Sequence, residues 1–360
     1  MKFVIFAGGQ GTRLWPLSRK KSPKQFEKII SDKSTLQLAT ERLLPDFDLK
    51  DVYISTGERY VDLVSEQLPG VPPSQIIGEP SMRDVGPAVG LITAILNKIS
   101  PKEPMVILWS DHLVRNDVLF RKLLRVAGDL VAKKHDKIIF ISQKPRFASE
   151  NLGWIEYGKK IEEREGINFH EFKNFQYRPD KPTAEKYLKS GHHAWNLGYF
   201  VTSPEFLWKQ YQQFAPNLYK DLSKIVAAWG TSKFDSVLKD IYPSLEKISF
   251  DNAILEKLDS SDTMVISENI EWSDIGAWEA LKEALQESQE HNVIQGKVLL
   301  TDTSDSLVYN FTEQLLVTID LDDILVVNTP DVLMVCKKTS VPKIKKLVES
   351  LAGTEHDHLT

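Results

Sequence analysis

The chain has 360 residues, 42% of them hydrophobic and 26% charged, with a formal net charge of −5. That composition suits a soluble globular protein of two domains at roughly 150 residues each. The acidic balance argues against a general nucleic-acid binder, which needs a basic face. A lone cysteine, Cys336, excludes an intrachain disulfide and fits a reducing, cytoplasmic compartment. The N-terminal apolar run is too short for a signal-peptide core, and no stretch reaches the ~18 apolar residues of a membrane span.

Phe3-Val4-Ile5-Phe6 predicts a strand over 2–7 that feeds straight into Ala7-Gly8-Gly9-Gln10-Gly11-Thr12-Arg13. Such a loop exposes backbone N–H groups with no Cβ in the way, a concavity suited to a polyphosphate. Arg13 and Lys24 offer forked and mobile positive charge to the same anion. Two commoner phosphate loops do not fit. No Gly-Lys-Ser/Thr follows Gly8, so this is not a P-loop. A dinucleotide fingerprint started at Gly9 meets Leu14 where its third glycine belongs. Pro16 follows too soon for a long helix to begin at the loop. An ordinary tight turn is the plain alternative, and the attached cations and the Trp15–Arg19 stretch weigh against it.

Further strands are expected over 52–55, 75–78, 105–109 and 137–142, with helices over about 34–44, 59–68, 86–99 and 117–134. Ser34 and Gln37 form a capping box for the first helix. This alternation reads as a doubly wound α/β sheet with right-handed crossovers, whose ligands sit at the carboxyl ends of strands. The loop at 8–13, Glu79 and Asp111 each follow a strand candidate, which converges on one sheet edge. Residues 150–202 read as short strands with a helix at about 182–190, and residues 204–288 as mainly helical. After Glu290 the chain turns β-rich over 293–335, then a final helix is expected over 341–351. The boundary is placed near 289, giving a catalytic domain over 1–288 and a β-rich domain over 289–360. A strict hexapeptide repeat is not visible there. The tail 354–360 is expected to be disordered, with His356 and His358 as surface residues.

Gly11-Thr12-Arg13-Leu14-Trp15-Pro16-Leu17-Ser18-Arg19 with Pro23-Lys24-Gln25-Phe26 resembles the signature of sugar-nucleotide pyrophosphorylases, in particular the mannose-1-phosphate guanylyltransferase branch. The likeness continues through Gly78-Glu79-Pro80, Arg83–Ala88, Ser110-Asp111-His112, Arg178-Pro179-Asp180, Trp195-Asn196-Leu197-Gly198, Phe250-Asp251 and Trp272–Trp278. It implies an α/β, Rossmann-like doubly wound mixed sheet of the nucleotide-diphospho-sugar transferase type, with a small β-rich C-terminal domain. It also implies transfer of GMP from GTP to α-D-mannose 1-phosphate, giving GDP-mannose and pyrophosphate. The partners expected are GTP and a sugar 1-phosphate, with neither nucleic acid nor membrane. The β-rich piece is expected to pack on the catalytic domain or on a second subunit, which would make a homodimer. Dual-function relatives carry a further C-terminal cupin, so isomerase activity is not expected of this chain.

The chemistry joins two anions, so it asks for positioning and positive charge. A sugar phosphate is mostly ionised at neutral pH, with a second pKa near ~6, and needs no general base. Mg2+ would supply part of the charge, and the resemblance gives it Asp111 and Asp274. An N-cap role for Asp274 is the competing reading. His112 is expected to be a neighbour of Asp111 rather than a ligand. Arg13 and Lys24 are the catalytic cations, whereas Arg19 is either a phosphate ligand or a surface charge. The nucleotide would contact Ala7, Gly8, Gly9, Gly11, Thr12, Glu79, Pro80 and Pro87, with Glu79 accepting from guanine. A surface glutamate before a proline turn is the alternative for Glu79. The sugar phosphate would contact Gly153, Arg178, Asn196 and Asp274, although Asn196 before Gly198 also suits a plain turn. Two departures stand out: Asp84 replaces a usual asparagine, and Tyr177-Arg178 replaces a usual Glu-Lys, which bears on sugar identity. The rivals are a pyrophosphorylase for another sugar or nucleotide, and a non-catalytic sugar-nucleotide-binding regulator.

Overall fold

Apolar runs of the N-terminal half form β1 (Lys2–Ala7), β2 (Val52–Gly57), β3 (Ile76–Glu79), β4 (Met105–Trp109), the short β5 (His112–Val114) and β6 (Ile138–Gln143). Then come β7 (Gly153–Arg164), β8 (Ile167–Tyr177), β9 (His193–Thr202) and β10 (Thr263–Glu268). The computed structural model describes residues 1–9 and 11–360, so Gln10 of the glycine loop lies outside the described residues. The chain divides into two compact units. One comprises Met1–Gly8, Thr40–Ser110 and Val114–Glu271, and the other Gly9–Ala39, Asp111–Leu113 and Trp272–Thr360.

In the first unit the described residues make a nine-stranded sheet in the order β3-β2-β1-β4-β9-β6-β10-β8-β7. The strands β1 to β4 run parallel, whereas β9 is antiparallel to both β4 and β6, so the sheet is mixed. Parallel register sets Ala7 beside Thr56, Gly57 beside Glu79 and Phe6 beside Trp109, which brings four strand ends to one edge. Continuous apolar runs such as Val4–Phe6 and Met105–Leu108 are buried, as expected of strands covered on both faces. The helices Val85–Ile99, Pro204–Phe214 and Pro216–Ala227 share one apolar cluster with the sheet. No helix among the described residues is long and apolar enough to cross a membrane.

Two elements differ from the sequence expectation. Residues 150–202 hold strands of 12, 11 and 10 residues rather than short ones. The β7–β8 pairing shifts register between Glu156 and Glu162, and such bulges break the period-two pattern into shorter pieces. Residues 263–268 form β10 inside a region read as mainly helical. Met264-Val265-Ile266 is a short apolar run without alternation, which periodicity alone cannot assign.

The second unit contains β11 (Trp272–Asp274), the helix Trp278–Leu285, β12 (Val293–Gln295), β13 (Val298–Ser304), β14 (Leu307–Asn310), β15 (Leu316–Asp322), β16 (Ile324–Asn328), β17 (Leu333–Lys337) and the helix Ile344–Leu351. Strand β14 stacks parallel between β12 and β16, and β13 stacks parallel on β15. Val298 pairs with Leu316 and Leu307 with Leu325, a coil of 18 residues and the same separation as the Asn310–Asn328 hydrogen bond, whereas Val293 pairs with Leu307 only 14 residues on. The repeat is therefore visible after all, on a different period. It shows in Asp302/Asp320, Asp305/Asp323, Leu307/Leu325, Val308/Val326 and Asn310/Asn328. All four of those aspartates have positive φ (48°, 55°, 46° and 58°), where Asp is better tolerated than most residues. Lys282, only 2% exposed, bonds Asp305, and Lys338 bridges Asp305 and Asp323 at 2.5 and 3.2 Å. These cations tie the helix Trp278–Leu285 and the segment after β17 to the coil corners.

The core of this unit joins Leu14 and Trp15 to Trp278, Leu307, Leu325, Val327, Val341 and Ile344. The capping box forms reciprocally, with Ser34 N to Gln37 Oε1 at 3.0 Å and Gln37 N to Ser34 Oγ at 3.2 Å. The tail is ordered, not disordered: Asp357–Leu359 forms a 3-10 turn and Thr360 is buried.

Candidate active site

The signature loop turns on Gly11, at φ 61°. A Cβ there would lie 2.7 Å from Cγ and Cδ of Lys24, so glycine is needed for both conformation and space. The turn Thr12–Leu14 follows, with Leu14 buried and Arg13 exposed. Trp15 is buried too, and its carbonyl accepts from the Trp278 indole at 3.0 Å. Lys24 is buried in the turn Lys24–Phe26, and its ammonium lies 2.6 Å from Asp111 Oδ2 and donates to Ile275 O at 3.3 Å. Burial alone would raise the Asp111 pKa. The Lys24 ammonium, helped by His112 and hydrogen bonds, outweighs it and holds the carboxyl well below the usual carboxylate range.

Asp111 and Asp274 are 163 positions apart in sequence, yet Ile275 N donates to Asp111 O at 3.4 Å. Asp274 ends β11, and the following helix is entered through Ala277 with no side-chain cap, so Asp274 is not its N-cap. A Cβ built on Gly276 would lie 3.1 Å from an Arg13 Nη2 and 3.1 and 3.2 Å from the two Asp274 oxygens. Arg13, Lys24, Asp111 and Asp274 therefore gather around one point of the second unit. His112 Nε2 lies 4.0 Å from Asp111 Oδ1, and its ring meets Trp272 edge-on at 5.0 Å. Glu279 escaped the sequence reading. Burial raises its pKa, the nearby Arg13 charge lowers it, and its Oε2 is buried without a hydrogen-bond partner.

Among the described residues no three His, Cys, Asp or Glu side chains converge as a metal cage. Two carboxylates beside the Gly11 turn nevertheless suit Mg2+, which takes one or two protein carboxylates and completes its shell with water and phosphate oxygens. The donor set fits that ion.

Each unit holds some of the remaining residues that the sequence reading expected at the nucleotide. Ala7 and Gly8 close β1 in the first, where the Ala7 carbonyl accepts from Thr56 Oγ1 at 2.8 Å. Gly9, Gly11 and Thr12 open the second, with Gly9 exposed. In the first unit Glu79 ends the edge strand β3. It is no free surface carboxylate: Ser55 Oγ donates to Oε1 at 3.0 Å and Tyr242 OH to Oε2 at 2.6 Å. Burial raises its pKa despite those two hydroxyls. Pro80 follows half-buried and Pro87 is buried in the helix Val85–Ile99. Asp84 is the N-cap of that helix at φ 68°, accepting from Val85 N at 2.8 Å, a capping role that Asn and Asp share.

Strand register places Gly153 between Tyr177 of β8 and Asn196 of β9. Asn196 Oδ1 accepts from Gly198 N at 3.0 Å, so its oxygen serves the turn. Tyr177 and Arg178 are both exposed, with the guanidinium 4.9 Å from the tyrosine ring centre.

The chain is similar to known proteins over both units. Residues 2–291 match the nucleotidyl transferase family, and residues 296–351 match the MannoseP isomerase/GMP-like beta-helix domain. Mannose-1-phosphate guanylyltransferase 2 of Escherichia coli O157:H7 is 30% identical over 97% of this chain and 73% of its own length. Mannose-1-phosphate guanylyltransferase of Klebsiella pneumoniae is likewise 30% identical over 97% of this chain and 73% of its own. The crystal structure described as mannose-1-phosphate geranyltransferase from Thermus thermophilus superposes with a TM-score of 0.87 at 25% identity, covering 98% of this chain and 99% of that one. With that likeness running through both units, the chain belongs to the mannose-1-phosphate guanylyltransferase family of nucleotidyl transferases.

Proposed function

We propose that this chain transfers GMP from GTP to α-D-mannose 1-phosphate, releasing pyrophosphate and forming GDP-mannose. The gathering of Arg13, Lys24, Asp111 and Asp274 beside the Gly11 turn carries the reading. Arg13 binds the triphosphate with its guanidinium fork and stabilises the charge that builds on departing pyrophosphate. Lys24 neutralises the same anion and keeps Asp111 ionised. Asp111 and Asp274 would hold Mg2+, which offsets phosphate charge when bound. An oxygen of the sugar phosphate attacks the α-phosphorus in line. The new P–O bond forms as the α–β bridging bond breaks, and no proton need move.

Glu79 accepts from guanine N1–H and the exocyclic amine, with Ser55 and Tyr242 fixing its orientation. Ala7, Gly8, Gly9, Gly11 and Thr12 line the phosphates, with Pro80 and Pro87 flanking the base. Gly153, Asn196, Arg178 and Asp274 take the sugar phosphate. The exposed Tyr177 in place of an acidic acceptor favours testing other manno-configured sugars alongside mannose. The single cysteine supports a reducing, cytoplasmic setting.

A panel of four NTPs against several sugar 1-phosphates, read by pyrophosphate release with and without Mg2+, tests the reading. GTP with mannose 1-phosphate and Mg2+ should give the highest kcat/KM. Release with another pair would reassign the substrate, and no release with any pair would leave the non-catalytic reading.

A further inference from the structure

Arg19 belongs to the signature stretch, and its guanidinium is engaged by acceptors of the chain itself at the surface. Nε donates to Pro16 O at 2.9 Å, while the two terminal nitrogens donate to Asp331 Oδ2 and Oδ1, each at 2.6 Å. One planar fork thus ties a carbonyl inside the loop to a carboxylate 312 positions later in the chain. Asp331 is itself held. Thr329 Oγ1 donates to Asp331 Oδ1 at 3.0 Å, and Thr329 and Val332 close the turn between β16 and β17 through bonds of 2.8 and 3.2 Å. The Arg19 hydrogen bonds, chief among the causes, bring the Asp331 carboxyl down to about 2.

Two more ties reach the same loop from the last residues of the second unit. The Trp15 indole donates to Leu359 O at 2.8 Å, and Lys20 N donates to Thr360 O at 3.3 Å. Between them Leu14 and Trp15 sit in the core built largely from the coils. The loop is therefore pinned just after Arg13's turn, at Trp15, Pro16, Arg19 and Lys20.

We propose that the Thr329–Val332 turn and the Leu359–Thr360 segment are a strut that positions the signature loop, with Arg19 as its coupling residue. The consequence for catalysis rests on the role given above to Arg13; the consequence for loop order does not. A displaced guanidinium loses transition-state contact even when the substrate still binds, because misplacement by ~1 Å can cost about 100-fold in rate.

The test uses the full chain with Asp331→Ala, Asp331→Asn, Arg19→Lys, Arg19→Ala and the double Arg19→Ala/Asp331→Ala. The lysine variant keeps charge but cannot make three planar bonds. Asp331→Ala is expected to lower kcat by about 10- to 100-fold with the sugar-phosphate KM within about twofold of the wild type. Arg19→Lys should behave similarly, and the double variant should be no worse than Arg19→Ala alone, because that variant already removes the contact shared with Asp331. Hydrogen exchange of residues 11–20 should quicken by about tenfold or more in Asp331→Ala, with exchange in the β1–β4 sheet unchanged. Should Asp331→Ala fail to fold, Asp331→Asn keeps the shape of the turn and carries the same expectation at smaller size. Unchanged loop exchange, wild-type kcat in the single variants, or multiplicative losses in the double would each overturn the strut. A wild-type chain that releases no pyrophosphate while Asp331→Ala still loosens the loop would sink the enzyme reading and spare the strut.

Discussion

The candidate site groups of the two units meet different kinds of partner. In the sheet unit the candidate recognition groups meet neutral partners: Glu79 receives two hydroxyls, and Asn196 receives a backbone amide. In the coil unit the counterparts are charges: Lys24 on Asp111, Arg19 on Asp331, Lys282 and Lys338 on Asp305. Neutral donors orient an acceptor without cancelling it, which suits discrimination of a base or a hydroxyl by hydrogen bonding. Paired charges suit phosphates, whose repulsion must be offset. The division predicts that damage to the coil unit lowers turnover, while damage to the sheet unit lowers selectivity.

The harshest way to break that comparison is Arg13→Ala. It should cost about 3–4 kcal/mol of transition-state stabilisation, read as a fall in kcat for pyrophosphate release. Near-wild-type turnover would remove Arg13 from the site. Asn310→Ala sharpens the contrast, because Asn310 is a neutral network inside the charged unit. It is 3% exposed, donates to Lys297 O and Gln314 O, and accepts from Thr312 and Asn328. Removing it should lower unfolding free energy by about 2–3 kcal/mol, because buried carbonyls lose their donors. A denaturant titration reading a loss under about 0.5 kcal/mol would contradict that account. The smallest effect is expected for Glu79→Gln, which should raise the GTP KM about tenfold, or ~1.4 kcal/mol, with kcat little changed. Its stability signature has a definite sign. Burial raises the Glu79 pKa, so the folded chain holds that proton more readily than the unfolded one. The stability it contributes is full below the ordinary glutamate value of ~4.3 and is lost as pH rises through the raised folded value. The Tm advantage of Glu79→Gln over the wild type should therefore widen from pH 4 to pH 7. A constant difference would mean that Glu79 is well solvated.

Much of the sheet unit could be read from sequence because its strands are continuous apolar runs with punctuating helices. The runs at 2–7 and 105–109 became β1 and β4 with the same limits, and 52–55 became Val52–Gly57. What failed was pattern without period: β10, and the bulged β7–β8 ribbon. The coil unit hid its repeat by placing identity at corners, Asp302/Asp320 and Asp305/Asp323, instead of on a six-residue apolar beat. Arg13, Lys24, Asp111 and Asp274, which the fold brings together, were legible as a group through motif wording. Arg19's partner was not. Nothing local distinguishes Asp331 from any loop aspartate, and the pairing spans 312 positions. Glu279 was invisible for the same reason, since its neighbour Arg13 lies on a remote segment.

The 18-residue coil acts as a ruler. Asp331 leaves the stack one rung above β14, at the end of β16. Successive rungs lie about 4.8 Å apart. Duplicating one coil between residues 315 and 316 would preserve every rung-to-rung pairing, as in other solenoids. It would also lift Asp331 by one rung, beyond the reach of Arg19. The number of coils thus sets the rung at which Asp331 meets Arg19.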